Sequence, residues 1–346
     1  SGDKIQPIYV REMMNIEPKF KKRLSKYTFI DLFAGIGGFR YALESFGAKC
    51  IYTSEWDNHA QQVYASNFKD KPHGDITKIK EKDIPSHNIL CGGFPCQAFS
   101  ISGKQKGFED TRGTLFFDVA RIAKYHKPEF LFLENVKNFE THDKGKTLKV
   151  VENTLSETGY DVYYKVLNAS EFGVPQKRER IYILGFRNDL KVKKYDFPKP
   201  PNAPVKLKDL LLSDAETDKY VIRRDDIKIK DHTNVQIDMF GNYPLKPIRI
   251  GTVNKGGQGE RIYHECGHAI TLSAYGGGVG AKTGLYYING KVRKLAPKEC
   301  AKLMGLPDDF MIHPSDSQAY KQFGNGVVVD VLQYIILDII KKGLLK

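Results

Sequence analysis

Apolar and polar positions along the first half of the chain repeat as strand, turn and helix. Tyr27 to Phe33, mostly apolar, reads as a strand. It leads into a glycine-rich turn, Ala34 to Phe39, and a helix to about Phe46. A second strand, Cys50 to Ser54, ends in Glu55-Trp56-Asp57, and a helix is predicted at about 57–67. Gly74-Asp75-Ile76 marks another polar strand end. The apolar run Asn88 to Cys91 predicts a short buried strand, 114–126 a helix, and Pro128 to Leu133 a strand ending in Glu134-Asn135-Val136. A helix at about 146–158 follows, and the second half of Val174 to Leu184 reads as a strand. Near Phe197 to Pro201 the repeat stops. From about 209 to 296 glycines cluster, and Tyr286 to Val292 reads as a hairpin on an Asn-Gly turn. Residues 297–346 return to a helical pattern, with a long apolar helix at about 327–341 expected to pack on the first domain. The expected fold is α/β: a doubly wound, mostly parallel, Rossmann-like sheet over 1–208, a smaller irregular β-rich domain over 209–296, and a return to the first domain over 297–346. Residues 3–26 are polar and basic and read as an arm.

Ligands of doubly wound sheets bind beyond the carboxyl ends of the strands, so those ends carry the candidate chemistry. The first glycine-rich turn, with Gly35 and Gly37, is followed by the acid Glu55 at about the spacing at which a ribose hydroxyl needs an acceptor. Arg40 stands where the dinucleotide fingerprint needs a small residue. That speaks against a nicotinamide dehydrogenase and for a nucleoside ligand without a pyrophosphate, such as S-adenosylmethionine. Asp75 and Ile76 lie where they could meet an adenine. Gly92-Gly93-Phe94-Pro95-Cys96 presents one thiol on a rigid turn just after a strand. An isolated cysteine is usually a buried structural residue, but such a residue needs no strained turn to present it. Glu134 closes the next strand, so Cys96 and Glu134 should face one crevice. Arg178 and Arg180, two apart, should share a strand face, either as a solvated edge or as a clamp on an anion or a base. They should also lower the pKa of Cys96. Ser102 to Phe108, rich in glycine and lysine, reads as a lid beside the thiol, or as an ordinary surface loop. Gln258 and Arg261 follow clustered glycines, where such side chains read base edges; alone, either would be merely exposed.

Composition sharpens this picture. The net charge is +13, an excess that favours a polyanionic partner such as nucleic acid. Five cysteines, an odd number without CxxC spacing, fit a reducing compartment and neither a disulfide framework nor a zinc site. No run approaches the roughly 18 apolar residues of a membrane span, and no signal peptide is visible. A cytoplasmic protein that binds neither membrane nor metal is expected.

Taken in order, Phe33-Ala34-Gly35-Ile36-Gly37-Gly38, Gly93-Phe94-Pro95-Cys96-Gln97, Glu134-Asn135-Val136, Gln176-Lys177-Arg178-Glu179-Arg180 and Gly324-Asn325 resemble the motifs of the DNA cytosine-5 methyltransferases. The likeness runs from about residue 27 over nearly the whole chain. It implies a bacterial restriction-modification enzyme, acting as a monomer, that carries a methyl group from S-adenosylmethionine to C5 of a flipped-out cytosine in double-stranded DNA. It implies that Cys96 is the nucleophile, that Glu134 holds the base edge, and that Arg178 and Arg180 support the flipped base. The cofactor site would comprise Phe33, Gly35, Gly37, Glu55, Trp56, Asp75, Ile76 and Asn325. Residues 209–296 would recognise the target, with Gln258, Arg261, Thr271 and Tyr275 at the DNA, and Ser102 would approach from the minor groove. The 92–115 and 255–278 stretches are most like a member that reads GCGC and methylates its inner cytosine; 228–247 and 264–268 are less like it. Gly326 departs from the Ser usual after the Asn. A tRNA cytosine-5 methyltransferase on the same scaffold is the alternative, against which the DNA-reading look of 254–278 speaks. A silent DNA-binding relative would be free to lose Cys96 or Glu134, and both are present.

Overall fold

The strands that the apolar runs predict from Tyr27, Cys50, Asn88 and Pro128 and in the second half of Val174 to Leu184 are present in the computed structural model, which describes residues 16–97, 99 and 107–346. The strand end expected at Gly74-Asp75-Ile76 has no strand before it, only an isolated bridge between His73 and Ser54. The chain divides into two units. The first comprises Ile16–Leu167, Glu179–Pro198 and Leu332–Lys346, and the second includes Asn168–Arg178 and Lys199–Val331.

The first unit runs β1 (Thr28–Leu32), α1 (Gly38–Glu44), β2 (Lys49–Ser54), α2 (Asn58–Phe68), β3 (Ile89–Gly93), α3 (Leu115–His126), β4 (Phe130–Val136), α4 (Lys146–Thr158), β5 (Tyr160–Asn168) and β6 (Glu179–Arg187). Its sheet has the order β2-β1-β3-β4-β6-β5. β1 pairs in parallel with both β2 and β3, β3 in parallel with β4, and β6 runs antiparallel to β4. The winding therefore reverses at β1, and the crevice of a doubly wound sheet opens beyond the carboxyl ends of β1 and β3. The strands there are apolar because both faces are covered. Ile30, Leu32, Leu90, Leu131 and Leu133 form one buried cluster with Val119, Ile122 and Ala123 of α3 and Val151 and Leu155 of α4. Caps set the helix ends: the Asp57 carboxylate accepts from the His59 and Ala60 N–H groups at 2.8 and 3.1 Å, and the Thr114 hydroxyl accepts from Phe117 N–H at 3.3 Å. β5 has no counterpart in the sequence reading. It is an edge strand with exposed positions at Tyr164 and Lys165, so it carries no continuous apolar run. Of the expected basic arm, residues 16–26 form turns without a helix or strand, and 3–15 lie outside the described residues.

The second unit is built on a five-stranded sheet: β7 (Lys228–Ile229), β8 (Arg249–Thr252), β9 (Arg261–His264), β10 (Leu285–Ile288) and β11 (Lys291–Arg293), in the order β11-β10-β9-β8-β7. Only the β9–β10 pair is parallel. Asn289 and Gly290 take φ of 50° and 77° and turn β10 into β11 as the Asn-Gly signal predicts. A short helix, α5 (Asp214–Thr217), precedes this sheet; α6 (Pro297–Leu303) and α7 (Asp316–Asn325) follow it. The last helix, α8 (Val329–Lys341), leads the chain back into the first unit at Leu332.

Three segments thus group differently from the expectation. Residues 297–331 belong with the five-stranded sheet, and so do 168–178 and 199–208. Physical ties explain them. Leu207 N–H donates to the Gly267 carbonyl at 2.9 Å and Lys208 N–H to the Glu265 carbonyl at 2.8 Å. Arg293 and Glu299, 2% and 0% exposed, form a bidentate pair at 2.7 and 2.8 Å that fastens α6 to β11. Glu299 also accepts from the Leu212 and Ala296 N–H groups at 2.9 and 2.7 Å. Lys177 N–H donates to the Ala269 carbonyl and Ala269 N–H to the Pro175 carbonyl, each at 2.8 Å. Among the described residues, Asp316–Lys341 is long and apolar enough to cross a membrane, but residues 326–328 interrupt the helix and 67% of its apolar window is buried within the protein, as in a core helix.

Glu299→Ala should lower stability by about 3–5 kcal/mol, because it leaves the Arg293 guanidinium buried without its counter-charge. Urea unfolding of variant and parent measures the loss.

Candidate active site

The first unit gathers a nucleoside-sized cavity at the carboxyl ends of β1 and β2. Phe33 leaves β1 with φ of 50°, a conformation uncommon for a bulky residue and characteristic of functional turns. Gly37 has φ of 95°, and a Cβ on it would overlap the Phe68 ring, so only glycine fits. Glu55, 8% exposed, ties this turn to the end of β2: its carboxylate accepts from Gly35 N–H at 2.9 Å and Asp57 N–H at 2.8 Å. Burial raises its pKa, and these two bonds oppose the rise. Arg40 donates to Glu44 and Asp70, each at 2.7 Å, and lies over the Phe68 ring. That is why a large residue stands where a dinucleotide site has a small one. Phe33, Ser54, Glu55, Trp56, Asp75, Ile76, Thr77 and Leu115 line a cavity of about 170 Å³. The Trp56 indole is 71% exposed at this cavity. The Asp75 carboxylate accepts from the Thr77 N–H and hydroxyl at 2.9 and 2.8 Å, which holds its pKa below the usual range.

Beside it lies the thiol turn. Gly93 on β3 pairs in register with Glu134 on β4, and Cys96 follows three residues later. The turn is anchored on both sides of Cys96. The Phe94 ring, 3% exposed, packs against Phe116 and Phe139 at centroid distances of 5.3 and 5.5 Å. The Gln97 side-chain amide oxygen, Oε1, accepts from Leu115 N–H at 2.7 Å. The Glu134 carboxylate, on a residue 6% exposed, lies 3.7 Å from Arg180 Nε. Register places Arg180 on β6 opposite Val136.

One expectation is corrected here. Burial raises the pKa of the Cys96 thiol, and neither Arg178 nor Arg180 lowers it as expected. The charge of Arg180 is matched by Glu134. Arg178 lies outside β6, which begins at Glu179, so the two arginines do not share a strand face. The Arg178 guanidinium, on a residue 2% exposed, donates to the carbonyls of Leu272, Gly324 and Gly326 at 3.0, 2.7 and 2.9 Å. It ties the Gly324-Asn325-Gly326 turn to the 272 segment within the second unit. Asn325 ends α7 and is exposed. A Cβ on Gly326 would lie 3.2 Å from Met304 Cε, so the usual Ser would be tightly packed.

The remaining nucleic-acid candidates lie in the second unit, apart from Ser102, which falls outside the described residues. Gln258 and Arg261 are exposed, the latter as the first residue of β9. Their loop meets 276–280 backbone to backbone: Gly280 N–H donates to the Gly259 carbonyl at 2.7 Å, and a Cβ on Gly259 would overlap the Gly277 carbonyl. Glu260 stiffens the loop by accepting from Asn254 Nδ2 at 2.6 Å and Gly257 N–H at 2.8 Å. Tyr275 is 74% exposed, and the Thr271 hydroxyl donates to the Lys177 carbonyl at 2.7 Å.

A sequence profile described as C-5 cytosine-specific DNA methylase matches residues 27–341. The chain belongs to that family. As a C-5 cytosine-specific methylase it is a DNA (cytosine-5-)-methyltransferase. It is 61% identical over 318 residues to type II methyltransferase M.HhaI of Haemophilus parahaemolyticus, covering 92% of this chain and 95% of that one. Identity to type II methyltransferase M.HpaII of Haemophilus parainfluenzae is 45% over 342 residues, 94% of this chain and 93% of that one. The S. pombe Dnmt2 methyltransferase structure shares the fold, with a TM-score of 0.67 at 20% identity over 92% of this chain and 99% of that one.

The methylase family uses S-adenosylmethionine, and the cavity suits such a nucleoside: an exposed indole and apolar walls for a purine, with carboxylates at Glu55 and Asp75 for polar edges. Ser54, Thr77 and Leu115 also line it, and sequence reasoning did not find them. Their only signal was adjacency to Glu55 and Asp75, and for Leu115 there was none. Gln97 was visible as part of the motif, but not its bond to α3.

Because the raised pKa leaves less thiolate at any pH below it, iodoacetamide should modify Cys96 in the free methylase more slowly than an ordinary thiol of pKa about 8.5 at neutral pH. The rate should still climb above pH ~9. Site-resolved mass spectrometry over a pH series measures it.

Proposed function

We propose that this methylase transfers the methyl group of S-adenosylmethionine to C5 of a cytosine flipped out of duplex DNA, at the inner cytosine of GCGC. It acts as a monomer and as the modification member of a restriction-modification system. The observation that carries the catalytic reading is the register pairing of Gly93 with Glu134, which sets the Cys96 turn beside a carboxylate already paired with Arg180. Ring carbon C5 is a poor nucleophile, and addition of the Cys96 thiolate at C6 makes it enamine-like. Glu134 holds N3 and the amino edge, and so offsets charge that builds on the ring. Arg180 orients Glu134 and supports the base from the same side. When bound, the donor would supply its sulfonium methyl to C5 and leave as the neutral thioether S-adenosylhomocysteine. Loss of the C5 proton to water would then expel the Cys96 thiolate and restore the ring. A stacked cytosine keeps C6 out of reach of the thiol, so the base leaves the duplex at a cost of a few kcal/mol. Arg178 acts by positioning the turn that carries Asn325.

Cys96→Ala should abolish methyl transfer and leave DNA affinity largely intact, since phosphate contacts dominate affinity. Glu134→Gln should slow turnover by ~10²–10⁴-fold without weakening donor binding, because the amide still bonds the base edge but offers no proton to N3. Radiolabelled methyl transfer, read beside gel-shift and calorimetric titrations, checks both.

For the target, Arg261 is the residue suited to a guanine through its O6 and N7 acceptors, on a loop whose glycines let backbone approach the groove. Bisulfite sequencing of DNA from cells expressing the protein should show methylation at the inner cytosine of GCGC. Arg261→Ala should relax the choice at one guanine by roughly 1–3 kcal/mol. A variant weakened equally on all sequences would mark Arg261 as a phosphate contact instead.

A further inference from the structure

Arg121, on the second turn of α3, has no part in the motifs, yet it joins that helix to the Ile76 turn and to Glu81 in the first unit. Its Nη2 donates to the Ile76 carbonyl at 2.7 Å, its Nε to Asp118 Oδ1 at 2.9 Å, and its Nη1 lies 3.1 Å from Glu81 Oε1. The side chain is 11% exposed, and that of Asp118 is 7% exposed. The Asp75-Ile76-Thr77 turn supplies three of the residues lining the 170 Å³ cavity, and Leu115 at the start of α3 supplies a fourth. Arg121 therefore ties the two walls of this cavity to each other. An arginine suits the task because its planar fork can hold a carbonyl and two carboxylates in one fixed geometry. We propose that Arg121 is a positioning residue for the methyl donor: it sets the Ile76 turn against α3 and so fixes the width of the slot for the donor's purine ring. This rests on the reading that the cavity takes S-adenosylmethionine.

The arrangement makes the test separable from simple unfolding. The α3 helix is also held to the same region by His126 Nε2, 2.7 Å from the Glu81 carbonyl, and by its buried apolar face, so loss of Arg121 leaves it docked. Trp56 lines the cavity and is the single tryptophan of the sequence, so its fluorescence reports on the slot directly.

S-adenosylhomocysteine is titrated into wild-type protein, Arg121→Gln and Arg121→Lys, following Trp56 emission with calorimetry alongside. Methyl transfer on duplex DNA and circular-dichroism melting are measured on the same samples. Arg121→Gln should bind S-adenosylhomocysteine about tenfold more weakly and show a similar rise in donor KM, with kcat at saturating donor within twofold and DNA affinity unchanged. Arg121→Lys, which keeps the charge and can restore one or two of the bonds, should lie between the two and carries the test if the glutamine variant does not fold. Wild-type affinity in a folded variant, or a fall in kcat with donor KM unmoved, overturns the proposal. No binding of S-adenosylhomocysteine by the wild-type protein would instead overturn the reading of the cavity on which it rests.

Discussion

The in-register pairing of β3 with β4 is the constraint on which the site depends. It places Gly93 opposite Glu134, and so brings a thiol turn to a carboxylate far away in sequence. A slip of one residue would displace the turn by about 3.3 Å and send alternate side chains to the wrong face. Burial prevents the slip, because Ile89 to Cys91 and Phe130 to Leu133 are fully buried and any other register would expose or misfit them. β6 extends the same logic on the other side of β4 by placing Arg180 near Glu134.

Around that frame, charge is used in two ways. Arg180 meets the Glu134 carboxylate at a strand end, whereas Arg178 and Arg293 are spent inside the second unit on carbonyls and on Glu299. Burial raises the pKa of the Cys96 thiol, and neither Arg178 nor Arg180 offsets the rise.

In the second unit, glycine does the work that side chains do in the first. The 256–259 and 276–280 loops meet through backbone contacts too close for a Cβ, so the short sheet can carry a rigid tip whose exposed groups are Gln258, Arg261 and Tyr275. A rigid tip lets polar side chains meet base edges with little ordering cost. Arg121 in the first unit shows the same economy, since one guanidinium fixes the spacing of two cavity walls.

Much of this was legible in the sequence, for reasons that are local. Two-face burial writes strands such as Phe29 to Leu32 and Leu131 to Leu133 as apolar runs, glycines with positive φ announce turns, and the Pro95-Cys96 step needs no neighbours to be recognised. These are properties of a few adjacent residues, and they sufficed for the α/β order and the family. What only the tertiary structure decided depends on partners distant in sequence. The edge strand β5 had no apolar run to reveal it, and residues 168–178 and 297–331 joined the second unit through Lys177–Ala269 and Arg293–Glu299. Arg178 and Arg180 look equivalent two residues apart, yet Arg178 is claimed by carbonyls near residues 272 and 324 while Arg180 meets Glu134. Sequence spacing determines which side chains can be neighbours along one element; which buried partner each charge finds is settled by long-range packing, because an unpaired buried charge is too costly for the fold to leave alone.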